Sequence, residues 1–330
     1  MSKNVFPVVA LALGLSLTPT TESVAQTPPG DFVLNHAQHF TLNARANGRA
    51  YQIFVSRPQG DAPPQGFPII YVVDGNAMFP QFAATANLLR MNERAVIVGI
   101  GYPGDGPFDS ARRYFDFTPK TPEAVLQASG RAGAARETGG HDLFIDVIEK
   151  EVKPWVERQT RIDRSRQTLF GHSLGGLFVL HVLYNRPECF QNYVAAAPSV
   201  WWNNQSVLQE ERAFRERHKQ GRSLSVNVLI TSNTDPTRRR PTPNQAQGGN
   251  ATRGQEEAEN LGGLVESLKT LPGVTAQYKV FEDETHISMV SGSVNSALRF
   301  VLGDARRSQG APPPDAARGG NSGGSTPTPR

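Results

Sequence analysis

Alternating and continuous runs of apolar residues divide the chain into segments with the length and pattern of β-strands. They predict eight strands, at residues 39–46, 51–57, 69–74, 95–101, 167–171, 193–197, 226–232 and 277–282. Between the strands, apolar residues recur at helical spacing. This spacing predicts helices at residues 81–91, 142–160, 174–186, 206–219, 256–271 and 288–302.

The order of these elements indicates how the sheet is built. Strands alternate with helices from the third strand onward, which is typical of a mostly parallel sheet with helices on both faces. The first two strands are joined by Asn47-Gly48, a dipeptide that favours a hairpin. We therefore predict an α/β fold in which a mostly parallel, eight-stranded sheet begins with an antiparallel hairpin.

Three stretches lie outside this pattern. Residues 103–140 contain an aromatic and charged run followed by a Gly/Ala/Arg-rich run, which predicts an ordered rim and then a flexible lid. Residues 236–254 are rich in Pro, Gly, Asn and Arg and predict a flexible loop after the seventh strand. Pro, Gly, Ser and Thr dominate from Gly310 onward, so residues 304–330 are predicted to form a disordered tail.

The composition favours one large domain. The chain has 330 residues, of which 38% are hydrophobic, enough for one substantial core, and we assign residues 26–303 to this domain. The net charge is +4, but the basic residues are dispersed apart from Arg238-Arg239-Arg240 in the predicted loop. We therefore expect no nucleic-acid partner. We also predict that the protein is a monomer. Cys189 is the single cysteine, so no disulfide can form within the chain.

The N-terminal segment has the features of a secretory signal peptide at residues 1–25. Lys3 provides a basic start, an apolar run follows at residues 5–17, and Ser23-Val24-Ala25 forms a cleavage site of small residues. The alternative is an uncleaved membrane anchor, although the apolar run is shorter than the roughly 20 residues that span a bilayer. We predict a periplasmic or secreted protein without stable membrane insertion once the signal is removed.

A serine lies where the fifth predicted strand passes into a helix, within the run GHSLGG at residues 171–176. A sharp turn between a strand and a helix exposes Ser173 above the sheet and close to free backbone N–H groups, as a nucleophile that attacks a carbonyl requires. Gly171 and Gly175 leave room for the turn to close, and Gly176 allows close packing at the start of the helix.

A serine nucleophile needs a base and a group that orients the base. His286 lies just after the last predicted strand and before the last helix, which is where this arrangement requires the base. Asp235 follows the seventh strand and is the candidate for the orienting carboxylate. It could equally be a turn residue before Pro236.

Acyl transfer also requires hydrogen-bond donors directed at the developing oxyanion. The backbone N–H of Leu174, at the start of the elbow helix, is one candidate. The loop after the third strand supplies the second, at Gly75 or Asn76. Asp74 is interpreted as a residue that braces this loop.

Two clusters at the same edge of the sheet are candidates for substrate binding. Trp201 and Trp202 follow the sixth strand and offer flat apolar faces for an aromatic acyl group, although core packing beneath a loop would also explain them. Arg112 and Arg113 could bind an anionic ligand or form a structural ion pair, for example with Asp116.

These motifs, in this order, resemble the esterase family of α/β-hydrolases over residues 32–303. The resemblance rests on residues 71–76, Arg113 with Asp116 and Thr118-Pro119, the elbow, Ser199 with Trp201-Trp202, and residues 285–288. It is closest to the exported siderophore esterases of the enterobactin, salmochelin and ferri-bacillibactin type.

The resemblance implies the α/β-hydrolase fold and hydrolysis of ester bonds in a catecholate trilactone through a seryl acyl-enzyme, with Arg113 in the substrate cavity. It also implies that a Ser-His dyad can suffice. Some branches of the family carry a glutamate pair after the seventh strand, where this chain has Asn233 and Asp235. The sequence therefore leaves open whether the catalytic group is a Ser-His dyad or a triad with a third residue.

We therefore expect an exported serine esterase whose partner is a small ester substrate, which could be a ferric siderophore. A catalytic metal or an organic cofactor is not expected, because motifs such as His-Glu-x-x-His are absent from the sequence. A general carboxylesterase or feruloyl-type esterase is an alternative. A siderophore-binding protein on an inactive hydrolase scaffold is an alternative from another class.

Overall fold

The predicted strands meet in one sheet in the computed structural model, which describes residues 34, 36–128, 137–219, 224–235 and 250–303, the side chains of residues 250–259 excepted. Within these residues the strands are β1 (Ala37–Asn43), β2 (Ala50–Ser56), β3 (Phe67–Val73), β4 (Val96–Gly101), β5 (Ile162–His172), β6 (Asn192–Ala196), β7 (Val226–Thr234) and β8 (Val274–Glu282). Each contains or overlaps a strand that the apolar pattern predicts.

The strand order in the sheet is β1-β2-β4-β3-β5-β6-β7-β8. Strand β2 pairs antiparallel with β1 and with β4, and all the other pairs are parallel. The predicted antiparallel start and parallel remainder are both confirmed. Because β3, β5, β6, β7 and β8 run in one direction, the loops that follow them meet at one edge of the sheet.

The helices of the described residues are α1 (Gly75–Leu88), α2 (Ser110–Phe117), α3 (Glu123–Ala128), α4 (His141–Val147), α5 (Lys153–Gln159), α6 (Leu174–Asn185), α7 (Trp202–Lys219), α8 (Asn250–Lys269) and α9 (Met289–Leu302). Asn203, Asn204 and Gln205 have left-handed backbone angles, so the regular part of α7 begins at Ser206, as predicted. None of the described helices is long and apolar enough to cross a bilayer.

Both faces of the sheet are covered, because side chains along each buried strand alternate between two cores. Ile70 and Val72 of β3 pack with residues of α1 and α9 on one face. Tyr71 and Val73 point to the other face, into a larger core formed with helices α2 to α8. The structure thus has the predicted α/β-hydrolase architecture, with helices on both faces of an eight-stranded sheet.

Several helix predictions need correction. Helix α1 begins six residues before the predicted start and includes Pro80, whose missing N–H costs one helical hydrogen bond. The predicted helix at residues 142–160 is interrupted by a π-helical turn, Ile148–Val152, just before Pro154. The apolar pattern also missed helices α2 and α3, which lie in the segment at residues 103–140 that was predicted to be an ordered rim followed by a flexible lid.

Other predictions fall wholly or partly outside the described residues. These are the signal peptide at residues 1–25, the disordered tail at residues 304–330, and parts of the predicted lid and of the loop at residues 236–254. Helix α8 begins at Asn250, so the last five residues of the predicted loop are helical. Gly254 lies inside this helix, where glycine costs only about 1 kcal/mol relative to alanine.

Candidate active site

Ser173 occupies a sharp turn between β5 and α6, at the edge of the sheet where the parallel strands end. Its backbone angles are φ 60° and ψ −116°, a strained conformation for a residue with a side chain. The Ser173 N–H donates to the carbonyl of Ala196 at 2.9 Å, and its carbonyl accepts from the N–H of Ser199 at 3.1 Å. The Ser173 side chain is partly exposed, and its Oγ lies 3.3 Å from Ser199 Oγ. The backbone of the β6 loop therefore holds the serine in this strained position.

The glycines around Ser173 allow the turn to close. A Cβ at Gly171 would lie 2.2 Å from the carbonyl oxygen of Gly175, and a Cβ at Gly175 would lie 2.8 Å from a methyl group of Val73. A Cβ at Gly176 would lie 3.0 Å from the carbonyl oxygen of Ala196. Gly171 meets immobile backbone, so it is the glycine that the turn requires most strictly.

Gly171→Ala is expected to destabilise the protein by about 3 kcal/mol or more, because the added methyl group overlaps backbone that cannot move away independently. Gly262→Ala is a matched control, since its Cβ would meet only the Tyr278 ring at 3.7 Å. The control is expected to be neutral or to stabilise helix α8 by up to about 1 kcal/mol. Urea unfolding of both variants measures the difference; equal free energies of unfolding would contradict the tight turn.

Positive φ angles concentrate at this edge of the sheet. Among the described residues, Ser173 shares a positive φ with Asp74, Ala197, Asp283 and the turn Asn203–Gln205, all of which follow strands β3, β6 or β8. Each such residue costs of order 1–3 kcal/mol and persists only where its surroundings impose it. Strain of this kind is typical of functional sites.

The loop that carries His286 is fixed to the end of β7 and to the elbow. Asn233 donates from Nδ2 to the carbonyl of Glu284 at 2.8 Å, and the Asp283 N–H donates to Thr234 Oγ1 at 3.3 Å. The carbonyl of His286 lies 2.8 Å from Nε2 of His172, the residue before the elbow serine. The rings of His172 and His286 have centroids 4.5 Å apart. The structure therefore places the predicted base against His172, the residue that directly precedes the predicted nucleophile.

His172 helps to hold the loop that carries His286, a role that the elbow motif alone did not predict. Because a carbonyl oxygen can only accept, His172 Nε2 must carry the proton that it donates to His286. Burial and the neighbouring His286 ring lower the pKa of His172 to about 3, so the ring is neutral at neutral pH. The position of His172 at the end of β5 could have indicated this role, because the end of β5 lies close to the loop that follows β8.

His172→Gln is expected to reduce the acid sensitivity of the fold. The unfolded His172 has the ordinary pKa of 6.5, and burial lowers the folded pKa to about 3. The neutral ring therefore contributes its stability above pH 6.5, and this contribution falls by up to about 1.4 kcal/mol per pH unit as the pH decreases toward 3.

Urea unfolding between pH 7 and pH 4 tests this expectation. The free energy of unfolding of His172→Gln should fall less steeply than that of the native protein. His39→Gln, on the exposed face of β1, is the control and should follow the native curve. Parallel curves for the native protein and His172→Gln would show that His172 does not titrate in this range.

Asp235 directly follows β7, whose last residue, Thr234, pairs in register with Glu282 at the end of β8. The side chain of Asp235 is partly buried. The sheet register and the hydrogen bonds of Asn233 and Asp283 place the backbone at the end of β7 beside the segment that leads to His286. Its role as the orienting acid stays a prediction.

The predicted oxyanion donors lie at the first turns of two helices. Leu174 is the first residue of α6, and Gly75 and Asn76 are the first two residues of α1. First-turn N–H groups have no partner within their own helix, and they lie at its positive end. The side chain of Asn76 binds the backbone of Tyr102 and Gly104 instead, so only its backbone N–H could serve.

Arg113 forms a bidentate ion pair with Asp74 beneath the elbow. Its Nε and Nη2 donate to the two carboxylate oxygens at 2.6 and 3.0 Å. Burial opposes the charge of Arg113, but the carboxylate of Asp74 raises its pKa above the usual value. Arg112 lies 3.8 Å from Asp116. Arg112 and Arg113 are thus each close to a carboxylate, as expected for structural ion pairs. The pair with Arg113 also holds Asp74 in the loop after β3, directly before Gly75.

The two tryptophans differ in exposure. Trp202 is only 2% exposed, donates from Nε1 to Thr121 Oγ1 at 2.9 Å and packs edge-on against Tyr114. Trp202 is thus core, and the prediction that it contacts substrate is not supported by its position. Trp201 is partly exposed and packs against Trp202 with ring centroids 5.6 Å apart. Trp201 keeps the candidate role at the rim.

The sheet order, with a serine at the turn between β5 and α6, defines an α/β-hydrolase. The chain belongs to the esterase family described as "Putative esterase", whose model matches residues 44–269. Its sequence is 36% identical over 269 residues to the ferri-bacillibactin esterase BesA of Bacillus subtilis (strain 168), covering 79% of this chain and 88% of that protein.

Solved structures agree with this assignment. The BES protein from Bacillus cereus superimposes with a TM-score of 0.70 at 31% identity, over 84% of this chain and 98% of that one. The siderophore hydrolase EstB from Aspergillus nidulans superimposes with a TM-score of 0.67 at 26% identity, over 83% of this chain and 98% of that one. The predicted family is confirmed.

Proposed function

We propose that this protein is an exported serine esterase that hydrolyses the ester bonds of a siderophore of the catecholate trilactone class. The observation that carries the proposal is the strained Ser173 at the elbow, with the His286 loop hydrogen-bonded to the adjacent His172. Esterase relatives that act on siderophores, covered over most of their length, support the choice of substrate.

In the proposed mechanism, Ser173 Oγ attacks the ester carbonyl while His286 takes the hydroxyl proton. The N–H groups of Leu174 and of Gly75 or Asn76 donate to the oxyanion of the tetrahedral intermediate. Collapse of this intermediate releases the alcohol, which receives the proton from His286, and leaves a seryl ester. Water, deprotonated by His286, then hydrolyses the seryl ester and restores Ser173.

The substrate rim combines an apolar surface with one partly neutralised cation. Phe108 is 39% exposed and Ile287, beside His286, is 64% exposed. The Arg113 guanidinium carbon lies 5.1 Å from the centroid of the Phe108 ring. Trp201 is the third apolar side chain of the proposed rim. Flat, electron-rich aromatic acyl groups suit such a rim, and the ion pair with Asp74 moderates the attraction of Arg113 for an anionic ligand.

Hydrolysis products identify the substrate. We would incubate the protein with ferric and iron-free catecholate trilactones, hydroxycinnamoyl esters and short-chain esters, and analyse the products by mass spectrometry. Linear trilactone fragments formed at least about 100-fold faster than products of the other esters would support the proposal. Preference for the hydroxycinnamoyl or short-chain esters would show a different esterase and contradict the assigned substrate.

Labelling with an organophosphonate tests the nucleophile independently of the substrate. The label is expected on Ser173, identified by peptide mass spectrometry, and not on the neighbouring Ser199. Trilactone binding without turnover and without labelling would indicate a binding protein on a hydrolase scaffold and would overturn the proposal.

Export rests on the sequence of residues 1–25 alone. After expression in a bacterial host, the mature protein in the periplasm or medium is expected to begin at Gln26. An intact Met1 in the cytoplasmic or membrane fraction would contradict export by a cleaved signal.

A further inference from the structure

Two histidines and two carboxylates converge on the surface of the helices that cover the larger core. His141 and Asp142 open α4, His181 lies on α6, and Glu210 lies on α7. Candidate ligand atoms of His141, Asp142 and His181 all lie within 4.8 Å of one another. His181 is eight residues after Ser173, or about 12 Å along the helix, so the cluster is separate from the proposed active site.

Two distances in this cluster, each to one oxygen of Asp142, are in the range found between the ligands of a metal site. His181 Nε2 lies 3.4 Å from Asp142 Oδ1, and His141 Nδ1 lies 3.5 Å from Asp142 Oδ2. Ligand atoms about 2.0–2.1 Å from a tetrahedral Zn²⁺ are roughly 3.3–3.5 Å apart. His141 Nδ1 is buried and makes no hydrogen bond within the described part of the chain. A buried ring nitrogen without a partner is a group that a cation would satisfy.

The second nitrogen of His181 is held as it is in metal-binding histidines. His181 Nδ1 lies 2.8 Å from Glu210 Oε2, and Asn185 Nδ2 donates to the same oxygen at 2.7 Å. A carboxylate that accepts from Nδ1–H leaves Nε2 as the nitrogen that can bind a metal once its proton is displaced, and makes the ring a better ligand. The geometry therefore directs His181 Nε2 toward Asp142 and His141.

The charges in the cluster both favour and oppose a cation. The carboxylate of Asp142 lies beside both histidine rings, and its negative charge favours a cation between them. Burial opposes the charge on His181, but Asp142 and Glu210 raise its pKa to about 9, so a metal must displace a proton. Arg186 Nη2 lies 3.8 Å from Asp142 Oδ1 and weakens the attraction for a cation.

We propose that His141, Asp142 and His181 bind a Zn²⁺-type divalent transition-metal ion, with Glu210 orienting His181. Nitrogen donors with one carboxylate select ions such as Zn²⁺, Ni²⁺ and Co²⁺ over Mg²⁺ and Ca²⁺. Bound there, the ion ties α4 and α6 together, and Glu210 links α7 to them. The ion has no part in ester hydrolysis and stabilises the helix that follows the nucleophile.

Calorimetric titration of the tag-free, metal-stripped protein with ZnCl₂ tests the site. We expect one Zn²⁺ per chain, a higher thermal midpoint with Zn²⁺, and an intense tetrahedral absorption spectrum with Co²⁺. His141→Ala and the conservative Glu210→Gln should each weaken Zn²⁺ binding by at least about tenfold.

His39→Ala, which removes an exposed histidine on β1, is the matched control and should bind Zn²⁺ like the native protein. Circular dichroism confirms that each variant is folded. The proposal is overturned if the native protein shows no saturable Zn²⁺ binding, or if His141→Ala and Glu210→Gln both bind as tightly as the native protein. Binding lost only in His286→Ala would place the ion at the active site and also overturn it.

Discussion

Ser173→Ala is expected to lower kcat for a nitrophenyl ester by about 10⁴- to 10⁶-fold, because the proposed mechanism forms the acyl-enzyme on Ser173 alone. The Ser173 backbone is strained, and alanine fits the same turn without the side-chain oxygen. The fold should therefore remain intact while turnover is lost. Steady-state kinetics with circular dichroism on the same preparation would measure both effects.

Ser199→Ala is the matched control for this prediction. Ser199 Oγ lies 3.3 Å from Ser173 Oγ, so its loss removes a neighbouring hydroxyl without removing the proposed nucleophile. We expect Ser199→Ala to keep kcat within about tenfold of the native value. Turnover that survives in Ser173→Ala and disappears in Ser199→Ala would assign the nucleophile to Ser199.

His286→Ala is expected to lower kcat by a similar factor, because an unassisted serine hydroxyl is a weak nucleophile at neutral pH. In the proposed mechanism the base must be unprotonated, so kcat/KM of the native protein should rise with pH. The His286→Ala variant should lack this rise and keep only a slow, hydroxide-dependent rate. An unchanged pH profile in the variant would remove His286 from the mechanism.

Asp235→Asn decides between a dyad and a triad. In a triad, loss of the carboxylate that orients the base lowers kcat by about 10⁴-fold. In a dyad, the variant should keep a nearly native rate. Asp283→Asn is the control, because Asp283 begins the loop that carries His286, is exposed and should not affect catalysis.

Patterns local in sequence predicted most of the fold. The eight strands and the elbow follow from apolar runs and from the glycines around Ser173, and the structure places both as expected. Helices α2 and α3 were not predicted, because each has only about two turns and their apolar residues do not recur often enough to show helical spacing. Helix α1 extends to the N-terminal side of the predicted segment and includes Pro80. The π-helical turn before Pro154 was not predicted, because the apolar pattern of residues 142–160 is that of one continuous helix.

Contacts between distant residues could not be predicted. Asp74 and Arg113 are 39 residues apart, and the choice of Asp74 over Asp116 as the partner of Arg113 depends on how α2 packs beneath the elbow. Adjacent tryptophans look equivalent in sequence, yet packing against Tyr114 buries Trp202 and leaves Trp201 partly exposed. His141 and His181 meet only because α4 lies beside α6.

Asp74 and Ser173, the residues with positive φ that precede α1 and α6, affect how the substrate preference of this enzyme can change. Asp74 and Ser173 turn the chain so that both helices begin at the sheet edge, and the proposed oxyanion donors are backbone groups. Backbone donors do not change when neighbouring side chains mutate. Rim residues such as Phe108, Trp201 and Ile287 can therefore vary independently of the catalytic groups. A library randomised at these three positions should yield variants with new ester preferences and intact catalytic chemistry.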